Sequence, residues 1–305
     1  MPITRAIVPA AGRGTRLFPV SKAQPKEMLP LGTRPVIEGV AEELISAGVT
    51  EILVITGTGK SAVEDHFDVT SGLTAAEAGA EGWPPYDNEA IQFYFTRQGQ
   101  PRGLGDAVRC GRRFAGDEHV VVALGDCIIT SAEPGAPLRR MLAAHVEHEA
   151  HASIVVQRVS LEATGRYGIV QPGPELAEGI FEMDDIIEKP GPEATPSRYA
   201  VAARYVFSPI LFRHLAQLEP GRGGEIQLTD AIRAMIADGH RVLGVPLQEG
   251  ERRLDVGNFQ SYSRAFLRTM LTDEVLGEGL RDYAANLLEH LQYPSHPDPD
   301  LPTDA

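Results

Sequence analysis

The sequence has few cysteines, fewer basic than acidic residues, and no long apolar run. Its two cysteines, Cys110 and Cys127, are too few for a disulfide framework or a cysteine-based metal site. No stretch approaches the roughly 18 uncharged apolar residues of a membrane-spanning helix. The first residues also lack the apolar segment and the small-residue cleavage site of a signal peptide. We therefore expect a cytoplasmic protein with no membrane partner.

The charge balance excludes further classes of partner. The 305 residues include 42 acidic and 28 basic ones, which gives a net charge of -14 at pH 7. Such a charge repels nucleic acid and anionic membranes. A phosphate-bearing ligand must therefore bind in a local basic pocket, and we expect small-molecule substrates and no nucleic acid. With 43% hydrophobic residues, the chain can form one large or two modest domains.

The first half of the sequence alternates apolar strand patterns with helical patterns. Strands are predicted at 5–11, 51–56, 91–96 and 119–124, and helices at 35–47 and about 104–113. This alternation is typical of right-handed βαβ units. We predict an α/β fold with a Rossmann-like, mostly parallel mixed sheet flanked by helices. Ligands of such sheets bind beyond the carboxyl ends of the strands.

The second half predicts a small additional β region and C-terminal helices. Its strands are predicted at 152–159, 167–170, 180–181, 185–187 and 200–207, and its helices at 209–217, 226–237, 258–271 and 273–291. The segment 69–90 has no clean periodicity, so we interpret it as an insertion at the surface. The acidic, proline-rich tail that ends at residue 305 is expected to be disordered.

A glycine-rich loop follows the first predicted strand. Gly12 and Gly14 alone indicate a strand-to-helix turn as readily as a phosphate loop. Three basic residues lie near these glycines in an otherwise acidic protein, namely Arg13, Arg16 and Lys26. Backbone N–H groups of such a loop can approach phosphate oxygens while the cations neutralise their charge. The combination therefore favours phosphate binding.

The sequence does not match two better-known glycine motifs. The dinucleotide fingerprint needs a third glycine where Leu17 stands. The segment 57–61, Gly-Thr-Gly-Lys-Ser, follows a strand and precedes a helix as a P-loop does. The P-loop pattern, however, requires glycine where Val54 stands. We therefore interpret this segment as an ordinary turn, with a P-loop kinase as a minor alternative.

Two aspartates are candidate ligands for Mg²⁺. Asp126 follows a very apolar strand, and Asp255 follows a second strand-like segment. Mg²⁺ prefers one or two carboxylates together with substrate phosphates. Each aspartate could equally be a helix cap or a turn residue.

Two further pairs of residues suggest contacts with a base and with a sugar phosphate. Gln98 and Gly103 lie beyond another strand, where an amide and a backbone group could contact a base. Glu188 offers a carboxylate to sugar hydroxyls, and Lys189 offers an ammonium to a phosphate. Taken alone, this last pair is more typical of an exposed ion pair.

The ordered set of motifs resembles the bacterial UTP–glucose-1-phosphate uridylyltransferases, also called UDP-glucose pyrophosphorylases. The resemblance runs from about residue 4 to residue 271, and PKEML and EIQLTDAI are its most discriminating segments. The matching segments are AAGRGTR, PKEMLPL, RQG, GLG, LGD, YGIV, EKP, ARYVF, GEIQLTDAI and LDVGN.

The resemblance implies a role for each matching residue. The implied nucleotide-binding residues are Ala10, Ala11, Gly12, Gly14, Thr15, Arg16, Lys26, Glu27, Gln98, Gly103 and Asp126. The implied sugar-phosphate-binding residues are Gly168, Glu188, Lys189, Ala203 and Glu225. Arg16, Lys26 and Lys189 would be catalytic, and Asp126 with Asp255 would hold Mg²⁺.

The resemblance also implies a domain plan. A catalytic domain would occupy 1–272, with a nucleotide-binding half at about 1–150 and a sugar-phosphate-binding half at about 151–272. A C-terminal helix and the acidic tail would occupy 273–305. A homo-oligomer, either a dimer or a tetramer, is expected.

The implied reaction is uridylyl transfer from UTP to α-D-glucose 1-phosphate. A sugar 1-phosphate carries about -1.5 to -2 charges near pH 7, so it needs no general base to act as a nucleophile. Catalysis would rest on alignment and on cations that stabilise the transferring phosphoryl group. The alternatives are the same chemistry with dTTP or another sugar 1-phosphate, and a regulatory protein that binds nucleotide sugars without turnover.

Overall fold

The structure is a computed structural model that describes residues 2–68, 90–177 and 179–292. Apart from Ala90, the predicted insertion lies outside these ranges, as does the predicted acidic tail. The strands are β1 (Arg5–Pro9), β2 (Pro30–Leu31), β3 (Arg34–Pro35), β4 (Glu51–Thr56), β5 (Gln92–Arg97), β6 (Val120–Ala123), β7 (Cys127–Thr130), β8 (Ala152–Arg158), β9 (Gly168–Ala177), β10 (Ile180–Glu188), β11 (Tyr199–Phe207), β12 (Val242–Pro246) and β13 (Arg252–Asp255). The α-helices are α1 (Val36–Ser46), α2 (Ser61–Phe67), α3 (Leu104–Cys110), α4 (Arg112–Ala115), α5 (Ala136–Glu147), α6 (Ile210–Gln217), α7 (Leu228–Ala237), α8 (Phe259–Thr272) and α9 (Gly277–Gln292).

The main sheet runs through both halves of the chain. Its strand order is β5-β4-β1-β6-β11-β8-β12-β10-β9. The pairings of β5, β4, β1 and β6 are all parallel, whereas β11 is antiparallel to both β6 and β8. Strand β10 is antiparallel to both of its neighbours, β12 and β9. Since only β11 and β10 run against the others, the predicted fold class is confirmed.

Helices cover both faces of this sheet because the central strands are apolar on both sides. One core cluster combines Ile7 of β1 with residues of α3, α6 and α7, including Leu211 and Ala231. The other cluster combines Val8 of β1 with residues of α1, α2 and α5, including Leu44. A strand that is buried on both faces shows a continuous apolar run, and all four residues of β6 are buried.

A small second sheet extends the carboxyl edge of the main one. Strand β7 pairs with β13 in antiparallel register, with Cys127 opposite Asp255. Backbone N of Val256 donates to the carbonyl oxygen of Asp126 over 3.1 Å. These contacts bring the two predicted metal ligands to one edge, although 129 positions separate them in sequence (255 − 126).

Several predicted boundaries were wrong, for physical reasons. The strands predicted at 180–181 and 185–187 form the single strand β10, whose register against β9 shifts between Ile180 and Asp185 and so interrupts the alternation. The helix predicted at 104–113 divides at Gly111, where a Cβ would lie 2.4 Å from Ile7 Cδ1. Helix α5 and strand β12 were not predicted, and the last helix begins four residues later than expected.

Within the described ranges, no helix combines the length and the apolar character that spanning a bilayer requires.

Candidate active site

An open cleft of about 460 Å³ lies beyond the carboxyl ends of β1, β4 and β5. The loops that follow these strands form its wall, as the rule for parallel sheets predicts. The lining residues are Ala11, Arg13, Thr15, Phe18, Ser21, Lys22, Ala23, Gln24, Pro25, Lys26, Gly57, Thr58, Gly59, Lys60, Gln98, Gly99, Gln100 and Pro101.

The glycine-rich loop wraps around the side chain of Lys26. Gly14 has a left-handed φ of 65°, and Ser21 Oγ donates to its carbonyl oxygen over 2.8 Å. A Cβ at Gly12 would lie 3.5 Å from Lys26 Nζ, so glycine lets the loop approach the ammonium closely. Backbone N of Ala10 donates to the carbonyl oxygen of Ile55 over 2.8 Å. The sheet therefore uses that N–H, which leaves only the residues after Ala10 to offer backbone donors.

The ammonium of Lys26 lies between two carboxylates. It contacts Asp126 Oδ2 directly and lies 4.0 Å from Glu27 Oε1. Burial alone would lower the pKa of Lys26, but Asp126 and Glu27 raise it above its usual value. Burial alone would raise the pKa of Asp126, but Lys26 lowers it below the usual range. At neutral pH the two side chains therefore form an ion pair at the carboxyl end of the sheet.

Glu27 is 1% exposed and forms a second ion pair. Lys60 Nζ lies 2.5 Å from Glu27 Oε2. Burial raises the pKa of Glu27, and the opposing effects of Lys26 and Lys60 do not fully offset it. Glu27 is buried and is not among the residues that line the cleft, whereas the resemblance implied a contact with the nucleotide.

The turn at 57–60 joins β4 to α2, as predicted for an ordinary strand-to-helix turn. A Cβ at Gly57 would lie 3.1 Å from the carbonyl oxygen of Ala11, so this turn packs against the glycine-rich loop. The sequence suggested only a P-loop or an ordinary turn here and gave no role to Lys60, which the structure buries. The available signal was its position just beyond the carboxyl end of a strand, where ligands of such sheets bind.

Gln98 forms the end of the cleft next to α3. Its Nε2 donates to the carbonyl oxygen of Gly103 over 3.2 Å and to Asp106 Oδ2 over 2.8 Å. Gly103 has a φ of 104°, and a Cβ there would lie 2.6 Å from the carbonyl oxygen of Ile226. Only glycine permits this close approach between the two halves of the protein.

The two candidate metal ligands are each paired with a cation. Asp126 contacts Lys26, and Asp255 Oδ1 lies 3.1 Å from Arg253 Nη2. The Arg253 side chain is 9% exposed, and its guanidinium lies 5.0 Å from the ring centre of Tyr167. In the described residues no group of three or more His, Cys, Asp or Glu side chains could hold a metal ion. Two carboxylates fit Mg²⁺, which completes its coordination with substrate phosphates and water.

The residues predicted to bind the sugar phosphate form a second group. Glu188 Oε2 accepts from Thr229 Oγ1 over 3.2 Å, and its Oε1 lies 2.8 Å from Lys189 Nζ. A Cβ at Gly168 would lie 2.8 Å from the Thr229 side chain and 3.4 Å from Glu188 Oε2. Lys189 has a left-handed φ of 48°, unusual for a residue with a side chain.

Two other residues predicted to bind the sugar phosphate lie against the nucleotide half. Ala203 is buried with a φ of 66°, and its carbonyl oxygen accepts from Leu124 N, two residues before Asp126. Glu225 is exposed, and its Cβ would lie 2.9 Å from a Cβ built on Gly103. The structure thus connects Ala203 and Glu225 with the nucleotide half.

Arg16, which the resemblance implies as a catalytic residue, lies apart from the lining of the cleft. It is exposed and does not line the cleft, whereas Arg13 does. The single 3₁₀ turn at Thr15–Leu17 buries Leu17 and leaves the neighbouring Arg16 exposed.

A larger cavity of about 800 Å³ lies at the opposite edge of the sheet, where β1, β4 and β8 begin. Arg5, Glu51, His119 and His151 are part of its wall. It contains neither the glycine-rich loop nor the Lys26–Asp126 pair, so size does not identify the active site here.

Comparison with known proteins identifies the family of this chain. The family model described as Nucleotidyl transferase matches residues 5–270. The chain belongs to the nucleotidyl transferase family. The match spans both halves of the site, from the glycine-rich loop to α8, and together with the relatives below it confirms the resemblance drawn from the motifs.

Curated relatives of this nucleotidyl transferase cover nearly its whole length. UTP–glucose-1-phosphate uridylyltransferase 2 of Streptococcus pyogenes serotype M3 is 37% identical over 296 residues, which cover 95% of this chain and 98% of the relative. UTP–glucose-1-phosphate uridylyltransferase of Bacillus subtilis is 39% identical over 292 residues, which cover 94% and 97%.

Solved structures show the same fold. A UDP-glucose pyrophosphorylase in complex with UDP-glucose superposes with a TM-score of 0.80 at 33% identity, over 87% of this chain and 97% of that chain. The UTP-bound enzyme from Acinetobacter baumannii superposes with a TM-score of 0.83 at 32% identity, over 93% and 99%.

Proposed function

We propose that this protein transfers the uridylyl group of UTP to α-D-glucose 1-phosphate and so forms UDP-glucose and pyrophosphate. The observation that carries the proposal is the contact between Lys26 and Asp126, enclosed by the glycine-rich loop at the carboxyl edge of the sheet. The names of the curated relatives and the nucleotides in the related structures support this choice of substrates.

The cleft would bind UTP with its base near Gln98 and its phosphates along the glycine-rich loop. Both described contacts of Gln98 use Nε2, so Oε1 faces no competing donor among them. That oxygen can accept from the imide N–H of uracil, which cytosine lacks. Backbone N–H groups after Ala10, together with Lys26, would contact the phosphates.

Asp126 and Asp255 would hold Mg²⁺. When bound, the ion neutralises negative charge on the nucleotide phosphates and on the transferring group. Lys26, now paired with Asp126, would then be available to the α-phosphate of the nucleotide. Arg253 would remain beside the site and balance the charge of Asp255.

The second substrate would bind at the group formed by Gly168, Glu188 and Lys189. Glu188 would accept from the sugar hydroxyls, and Lys189 would pair with the phosphate. An oxygen of the sugar phosphate then attacks the α-phosphorus in line, the bond from that phosphorus to the bridging oxygen breaks, and pyrophosphate leaves. Lys26 would stabilise the charge on the equatorial oxygens during transfer.

The domain plan follows the same division. The residues that would bind the nucleotide lie within 1–150, and those that would bind the sugar phosphate lie within 151–272. Residues 273–305 contribute no proposed ligand. A homo-oligomeric state and a cytoplasmic location stay predictions.

Pyrophosphate release tests the proposal when five nucleotides are crossed with three sugar phosphates in the presence of Mg²⁺. The nucleotides are UTP, dTTP, ATP, CTP and GTP, and the sugars are the 1-phosphates of glucose, galactose and N-acetylglucosamine. We expect UTP with glucose 1-phosphate to give the fastest release. A different best pair would overturn the proposed specificity, and no release from folded protein would overturn the proposed reaction.

A further inference from the structure

The lysines of this chain are concentrated at the candidate site. The sequence contains four lysines among its 28 basic residues, namely Lys22, Lys26, Lys60 and Lys189. The first three line the nucleotide cleft, and Lys189 pairs with Glu188. The proposed function assigns Lys26 and Lys189 to phosphates and leaves Lys60 without a role.

Lys60 comes from the turn that supports the glycine-rich loop. It is 6% exposed, and its Nζ lies 2.5 Å from Glu27 Oε2. Gly57 packs the same turn against Ala11, so the turn at 57–60 contacts both the glycine-rich loop and Glu27. The Lys60–Glu27 contact joins residues that are 33 positions apart in sequence.

Charge balance explains why Glu27 needs this partner. A buried carboxylate without a nearby cation is strongly unfavourable. Of the two cations near Glu27, Lys60 is in contact, whereas Lys26 is 4.0 Å away and contacts Asp126 instead. Without Lys60, the nearest cation for Glu27 would be Lys26 itself.

We propose that Lys60 is a positioning residue that holds the carboxylate of Glu27 and so leaves the ammonium of Lys26 for Asp126 and the nucleotide. The proposal rests on the proposed function, because it assigns Lys26 to the α-phosphate. In this role Lys60 differs from a P-loop lysine, which contacts phosphate directly. The ion pair between the Lys60 ammonium and Glu27 favours the positioning role.

A double-variant comparison distinguishes positioning through Glu27 from direct contact between Lys60 and the substrate. We expect K60M to lower kcat by about 10- to 100-fold, because Lys26 is drawn away from its reacting position. We expect KM for glucose 1-phosphate to change little. In the E27Q background the same K60M change should have almost no effect on kcat, because the amide that replaces the Glu27 carboxylate carries no charge to attract Lys26. If K60M lowers kcat equally in both backgrounds, Lys60 acts on the substrate directly and the proposal is overturned.

Folding of the single variant does not limit this test. K60M leaves a buried carboxylate unpaired, whereas K60M/E27Q removes both charges of the pair. If K60M does not fold, the comparison of E27Q with K60M/E27Q still decides, because equal kcat values support the proposal and a lower value for the double variant contradicts it.

Amine labelling gives a readout that does not depend on turnover. With four lysines, the labelling rate of each can be followed by mass spectrometry with an acylating reagent. We expect Lys60 to react far more slowly than the exposed Lys22, and faster in E27Q than in the unmodified protein. An unchanged rate at Lys60 in E27Q would overturn the pairing. Failure of the proposed function would appear separately, as absence of pyrophosphate release from the unmodified protein.

Discussion

Arg204 and Glu43 form a buried, bidentate ion pair behind the candidate metal site. Arg204 Nε donates to Glu43 Oε1 over 2.8 Å, and Nη2 donates to Oε2 over 2.6 Å. Nη2 also donates to the carbonyl oxygen of Cys127, and Glu43 Oε2 accepts from Ile129 N. The pair therefore fixes β7 immediately after Asp126.

Removing one partner of this pair should destabilise the protein strongly. We expect R204M to lower the free energy of unfolding by about 3–5 kcal/mol, because Glu43 remains buried without a counter-charge. The double variant R204M/E43L should recover part of that loss. Urea-induced unfolding measures both effects, and a change below about 1 kcal/mol for R204M, the range of an exposed pair, would contradict this account.

Lys26 should be essential and should not be replaceable by arginine. We expect K26M to lower kcat by at least about 10²-fold, the usual effect of removing a donor that stabilises the transition state. K26R should fail as well, because a planar guanidinium on a longer side chain cannot take the position in which the compact ammonium contacts Asp126 beside the glycine-rich loop. Steady-state kinetics checks both variants. K22M, at an exposed lysine of the same cleft, is the matched comparison and should change KM for UTP more than kcat.

Gln98 should determine the preference for uracil over cytosine. We expect Q98M to lower kcat/KM for UTP by about 10-fold, the effect of one hydrogen bond, and to change kcat/KM for CTP much less. The measurement is kcat/KM for the two nucleotides in both proteins. A preference for UTP that survives in Q98M would show that other groups read the base.

The histidines at the far edge of the sheet should make stability depend on pH. His145 is 1% exposed, and its two ring nitrogens contact His119 Nδ1 and Ser153 Oγ, each over 2.8 Å. Burial, reinforced by His119 and His151, lowers the pKa of His145 to about 3. Between that value and the unfolded value of about 6.5, the unfolded chain binds more protons than the folded chain. Stability should therefore fall as the pH is lowered through 6.5, and continue to fall toward 3.

Thermal melting between pH 7.5 and pH 5.5 checks this prediction. In that interval most carboxylates remain ionised, so histidines dominate the slope. H145Q should melt at a temperature that depends less on pH than that of the unmodified protein. Equal slopes for the two proteins would contradict a neutral, buried His145.

The sequence is sufficient to predict the local parts of this site. The glycine-rich loop, Gln98 and Asp126 come shortly after strands of the main sheet, and parallel strands bring their carboxyl ends to one edge. The residues that connect distant segments are different. Glu43 and Arg204 are 161 positions apart, and each resembles an ordinary surface charge until the fold buries both.

The strand order and the short strands could not be read from local patterns either. Strand β11 lies between β6 and β8, although residues 159–198 separate it from β8 in sequence. Strands β7 and β13 have four residues each, too few to show a hydrophobic periodicity in the sequence. Their pairing nevertheless brings Asp255 to the edge that holds Asp126, so the candidate metal site depends on tertiary structure.

The most direct test of uridylyl transfer measures UDP-glucose and pyrophosphate in the same reaction with UTP, glucose 1-phosphate and Mg²⁺. We expect one UDP-glucose for each pyrophosphate, and no pyrophosphate when glucose 1-phosphate is omitted. Pyrophosphate released at an equal rate without the sugar phosphate would mean that water attacks UTP, and it would contradict transfer to a sugar phosphate at this cleft.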